Sequence, residues 1–191
     1  MKSAKTNRRP ESSQQGFSLI EVMISMVIMT VGLVSLLGVF GLAMASTQTS
    51  QQTAVAKQLA NEALEGILTA RETNNLTWDQ IQNTGSGGIF LAGAQPAYCA
   101  GVDGIIGTAD DAACGLQKLT LPGADGIYGT ADDVILPLAN YTRTIAITPA
   151  LDSNNNPIPT LNVVTITVTY TPPQSKIAQN YVLNTYVSQY R

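Results

Sequence analysis

Residues 17–45 form an apolar run of 29 residues that holds one charged side chain, Glu21, and no proline. A helix needs about 20 apolar residues to cross the hydrocarbon core of a bilayer, so this run spans with length to spare. Any fold open to the chain must place the run in lipid or against other apolar helices. The 16 residues before it are polar and carry Lys2, Lys5, Arg8 and Arg9 against Glu11 alone. The remainder has 6 basic and 12 acidic side chains. A basic leader ahead of a span and an acidic body behind it predict a cytoplasmic N-terminus.

Helical character is predicted to continue past the membrane. No proline occurs between Pro10 and Pro96. Val55, Leu59, Ala63, Ile67 and Ala70 recur at spacings of four, four, four and three, which is one helical face. Lys57, Asn61, Glu62 and Glu65 lie largely off that stripe, and Asn74-Asn75 reads as a stop. One helix from Phe17 to about Arg71 is roughly 80 Å long at 1.5 Å per residue. Its part over 17–45 is apolar all round, and its part over 46–71 is amphipathic.

Residues 72–191 read as a globular head. A short turn of helix is expected around Leu76–Gln82, then a flexible loop at Gly85-Ser86-Gly87-Gly88. The period then becomes two over Tyr141–Thr148, Leu161–Thr171 and Tyr181–Tyr190, all rich in Val, Ile, Thr and Tyr. Asn154-Asn155-Asn156-Pro157 supplies a turn, and short connections favour an antiparallel meander. The predicted class is α+β: a long N-terminal helix packed on an antiparallel sheet. Cys99 and Cys114 allow one disulfide if the head is exported; the alternative is two reduced, buried thiols.

The junction reads Gly16-Phe17-Ser18-Leu19-Ile20-Glu21-Val22-Met23. It resembles the type III signal of type IV prepilins and pseudopilins, over residues 1–45 most specifically. The Val-Gly-Leu-Val-Ser-Leu-Leu-Gly stretch at 31–38 is most similar to PilV-type minor pilins. The resemblance implies cleavage between Gly16 and Phe17 by a prepilin peptidase and N-methylation of Phe17. It further implies an inner-membrane subunit with a periplasmic head, which assembles with other pilins or pseudopilins through inner-membrane machinery. A type IV pilus and the pseudopilus of a type II secretion system both fit.

The residues carry a physical argument beside the resemblance. A carboxylate in a membrane helix costs about 2.5–3.5 kcal/mol on insertion scales. No Lys, Arg or His lies between Arg9 and Lys57 to neutralise Glu21. Cleavage after Gly16 creates a cation, the α-amino group of Phe17, one helical turn from Glu21. That amine can pair within its chain, or with the Glu21 of an adjacent subunit and so set register. Two other readings stay open. Ala43-Met44-Ala45 resembles a secretory cleavage site, although the run exceeds an ordinary signal h-region of about 7–15 residues. A plain single-pass anchor explains the length but not the Gly-Phe-x-x-x-Glu spacing.

Residues 101–112, GVDGIIGTADDA, and 123–134, GADGIYGTADDV, agree at nine of twelve positions. Each copy brings three carboxylates: Asp103, Asp110 and Asp111, then Asp125, Asp132 and Asp133. Glycines allow tight turning, and hard cations such as Ca²⁺ take 6–8 oxygen ligands. The expectation is that the loops bind Ca²⁺; solvated Asp-Gly turns are the alternative. An anchored or secreted calcium-binding surface domain is therefore a further functional reading. The pattern is not an EF-hand.

Enzymatic chemistry is not expected. The chain has no histidine, no GxxxxGK[ST] run and no GxSxG elbow. Direct nucleic-acid binding is not expected either, because no basic cluster exists beyond the leader.

Overall fold

The computed structural model describes residues 16–172 and 177–190. It divides into two units, Met1–Ala45 and Ser46–Arg191. The leader, apart from Gly16, lies outside the described residues. Helix α1 runs Leu19–Glu72 and contributes to both units. It begins two residues later than the periodicity predicts, because the Ser18 carbonyl takes the amides of Glu21 and Val22 as the first helical bonds.

In the first unit every residue from 16 to 44 is exposed. The hydroxyls of Ser25, Thr30 and Ser35 donate back to the carbonyls of Val22, Val27 and Val31. Such back-bonding keeps small polar groups satisfied in an apolar segment.

In the second unit α1 buries Ala56, Leu59, Ala60, Ala63, Ile67 and Ala70. This is the predicted stripe, widened by two alanines, with Val55 only partly buried. The helix ends where Asn74 turns left-handed at φ 62°, and the amides of Asn75 and Leu76 both reach the Ala70 carbonyl. Asparagine tolerates that conformation, and buried Leu76 seals the end with an apolar contact.

The remaining elements are β1 (Gln95–Pro96), α2 (Asp111–Cys114), β2 (Lys118–Leu121), β3 (Val134–Pro137), β4 (Tyr141–Leu151), β5 (Pro157–Tyr170) and β6 (Gln179–Ser188). The main sheet has order β1-β4-β5-β6, all antiparallel. Its inner face alternates as period two requires, with Ile145, Ile147, Val164, Ile166, Val168 and Val187 in one core with the α1 stripe. Each such side chain contributes about 1.5–3 kcal/mol by burial. The architecture is thus the expected α+β layout.

Within the loop expected at residues 85–88, a 3₁₀ turn covers Thr84–Ser86, and the Asn83 carbonyl takes the amides of Ser86 and Gly88. Strands β2 and β3 pair as a separate two-stranded sheet around the second copy. Four-residue strands with few buried side chains leave little periodicity to read.

Candidate functional site

At the N-terminal end Gly16 and Phe17 are exposed and precede the helix, so the Gly16–Phe17 bond is not locked in helical hydrogen bonds. Phe17 is 83% exposed. Glu21 lies in the first turn of α1, exposed, and no side-chain partner holds its carboxylate among the described residues. An acidic group in the first turn faces the positive end of the helix dipole, which offsets part of its cost. The surrounding surface is Leu19, Ile20, Val22, Met23 and Ile24, all exposed. Bare apolar surface on this scale requires lipid or neighbouring helices to cover it.

The second place of interest is the duplicated loop. In the first copy the Asp111 carboxylate accepts the amide of Gly101 at 3.0 Å and of Gly107 at 2.6 Å. Asp110 accepts the amide of Asp103 and the Thr108 hydroxyl at 2.5 Å, and Asp103 accepts the amide of Ile105 at 2.8 Å. These three carboxylates bring oxygens within 4.8 Å of one another. Each oxygen keeps lone pairs beyond those bonds, so the donor set fits a hard cation by type.

The second copy repeats the pattern. Asp132 accepts from Asp125 N and Thr130, Asp125 from Ile127 N, and Asp133 from Gly129 N at 2.7 Å. Its Asp133 Oδ1 is buried without a partner, where Asp111 Oδ1 holds Gly101. Among the described residues only the first trio gathers within 4.8 Å.

Charge follows these bonds. The Thr108 hydroxyl holds the Asp110 carboxyl below its usual value, and Thr130 does the same for Asp132. Burial pushes the Asp111 carboxyl up, against the pull of the Gly107 and Gly101 amides.

The Cys99–Cys114 disulfide is formed, with Cα atoms 5.7 Å apart, and it brackets the first copy. Arg143 on β4 is 4% exposed and donates to the carbonyls of Leu59 at 3.3 Å and Tyr98 at 2.9 Å. Burial lowers its guanidinium to about 10, while Glu62 and Asp111 pull the other way. Sequence reading overlooked this residue. Its place in the series Tyr141, Arg143, Ile145, Ile147 marks an inward position, so period two alone could have flagged it.

Comparison with known families finds one match. Residues 12–37 fit the prokaryotic N-terminal methylation motif. The matched stretch holds Gly16, Phe17 and Glu21 and covers only the start of the chain. No curated protein and no solved structure matches the sequence.

Proposed function

We propose that the chain is a structural subunit of a type IV pilus, of the PilV-like minor pilin kind. It is processed after Gly16, N-methylated at Phe17 and assembled through α1. One observation carries the reading. A methylation motif opens a helix whose first half is wholly exposed and apolar, with one carboxylate and no Lys, Arg or His between Arg9 and Lys57 in the sequence. Cleavage supplies a cation at Phe17, one turn away, and neighbouring α1 helices cover the apolar surface as the fibre forms. Before assembly the same surface sits in the inner membrane, with the head in the periplasm. The partners are a prepilin peptidase, other pilins and inner-membrane assembly components. The role is structural, not catalytic.

A pseudopilin of a type II secretion system would use the same motif and helix. The test common to both is mass analysis of the native N-terminus. A start at methylated Phe17 supports assembly after processing. A start at Ser46 supports secretion, an intact Met1 supports a plain anchor, and either overturns the proposal. Gly16→Ala is expected to leave full-length protein in the membrane.

We also propose that the first loop takes Ca²⁺ through Asp103, Asp110 and Asp111. The gathered oxygens support this. Calorimetric titration of the purified full chain checks it: saturable heat that Asp103→Asn diminishes is expected, and no heat at millimolar Ca²⁺ overturns it.

A further inference from the structure

The main sheet has two edges, and the chain treats them differently. At one edge β1 is two residues long and includes Pro96. Beyond it the outward groups of β4 are capped by one side chain. The Asn83 amide donates to the Ile145 carbonyl, and the Asn83 oxygen accepts the Ile147 amide, both at 2.8 Å. Pro149, next in that series, has no amide to offer. Short strands, prolines and covering groups keep an edge from recruiting another strand.

The other edge, β6, has none of these guards. It is ten residues long, pairs with β5 without a bulge, and holds no proline, glycine or charged side chain. The Gln189 amide donates to the Thr160 carbonyl, which fixes the phase of the β5–β6 ladder: odd-numbered residues of β6 turn their backbone groups to β5. The N–H and C=O groups of Asn180, Val182, Asn184, Tyr186 and Ser188 therefore face outward. Among the described residues no other backbone group bonds to them. Val182 and Tyr186 are 50% and 69% exposed.

The order of side chains selects what covers this row. About Asn184 the strand reads alike in both directions. With a two-fold axis at Asn184, Asn180 faces Ser188, Val182 faces Tyr186, and Asn184 faces its own copy. Polar then meets polar, and an aromatic ring meets a β-branched side chain twice, a favourable cross-strand pair. Moving the axis by one residue either way still opposes the outward backbone groups, but it sets both Val182 and Tyr186 against Asn or Ser. An uncharged strand offers nothing to select a charged partner, and β1 of another copy is too short to fill the row.

We infer that β6 pairs antiparallel with β6 of a second copy of this chain, about a two-fold axis at Asn184, so that two sheets become one. The contact is isologous and closes as a pair. Within the head α1 runs alongside β6 in the same sense: Thr53 bonds Tyr170 beside the start of β6, and Arg71 bonds Tyr190 past its end. The two-fold therefore turns residues 46–72 of the two copies in opposite directions. Successive subunits of one fibre point the same way. Where the assembly reading above holds, β6 thus joins copies in neighbouring fibres, a contact beyond that reading.

The test uses the full chain purified in detergent. Under mild oxidation Asn184→Cys should give a disulfide-linked dimer, since hydrogen-bonded antiparallel partners have Cα atoms about 5.5 Å apart. Val182→Cys and Tyr186→Cys should link poorly alone and well when mixed, which reads the register. Charge at the axis gives a second arm, followed by sedimentation. Asn184→Lys and Asn184→Glu each set like charges face to face and should lower the dimer fraction severalfold, and an equimolar mixture of the two should restore it. A chain monomeric at every concentration, a dimer indifferent to both charges, a mixture that restores nothing, or linkage in another register overturns the inference. These readouts are made on the purified chain, so their failure is separate from failure of the assembly reading, which the N-terminal mass reports.

Discussion

Arg143 donates to the Tyr98 carbonyl at 2.9 Å, tying the start of β4 to the residue that precedes the disulfide. The same guanidinium reaches the Leu59 carbonyl on α1. One buried cation thus clamps helix, sheet and loop. Arg143→Met keeps much of the volume but leaves two carbonyls without their donor. The expected loss is about 1–3 kcal/mol. Urea unfolding of the full chain in detergent, followed by the fluorescence of the lone Trp78, measures it.

The disulfide closes the first loop over a sequence separation of 15. In the chain-entropy model a loop of that size is worth about 3 kcal/mol. Cys99→Ser with Cys114→Ser should lower stability by that order. Cys99→Ser with Cys114 intact should do the same, because either change opens the loop. A shift well under 1 kcal/mol would show that Arg143 and Asp111 hold the loop unaided.

Acid pH should separate the aspartates. Hydroxyl and amide donors hold Asp110, Asp132 and Asp152 below their usual 3.8. Their stabilisation is present above that value and is lost as pH falls through the lowered ones. Asp111 is raised, so its titration favours the folded state as pH falls and opposes folding as pH rises. Asp110→Asn and Asp152→Asn should therefore flatten the fall in stability below about pH 3.8. Asp111→Asn should instead remove the gain in stability that appears as pH falls towards 3.8, while lowering the whole curve through its lost acceptor. Unfolding midpoints between about pH 2 and 6 give the slopes.

Glu21→Ala should leave membrane insertion intact or improve it, since the cost of one carboxylate disappears. Fibre incorporation should fall, because the new Phe17 amine loses its counter-charge. Equal recovery of mutant and parent in sheared fibres contradicts this.

Burial in the α1 core supplies a control. Ile67 is fully buried, and Ile67→Ala should cost about 2–5 kcal/mol through transfer and cavity terms. Processing at Gly16 should be unchanged, because the motif at residues 12–37 belongs to the other unit. A parallel loss of processing would show that the peptidase needs a folded head.

The sequence by itself determined the long helix, its apolar and amphipathic halves, the three long strands and the processing motif. Each is written in local spacing: composition over 17–45, a five-residue stripe from Val55 to Ala70, alternation in Tyr141–Thr148. The tertiary structure alone decided the fates of the two nearly identical loops. Ile105 and Ile127 donate the same local hydrogen bond, to Asp103 and to Asp125, yet Ile105 is buried in the head's core and Ile127 is exposed. It also decided where Arg143 finds its carbonyls, 84 and 45 residues away in the chain. Burial of this kind depends on what long-range packing brings alongside, and nearest-neighbour spacing carries no record of that.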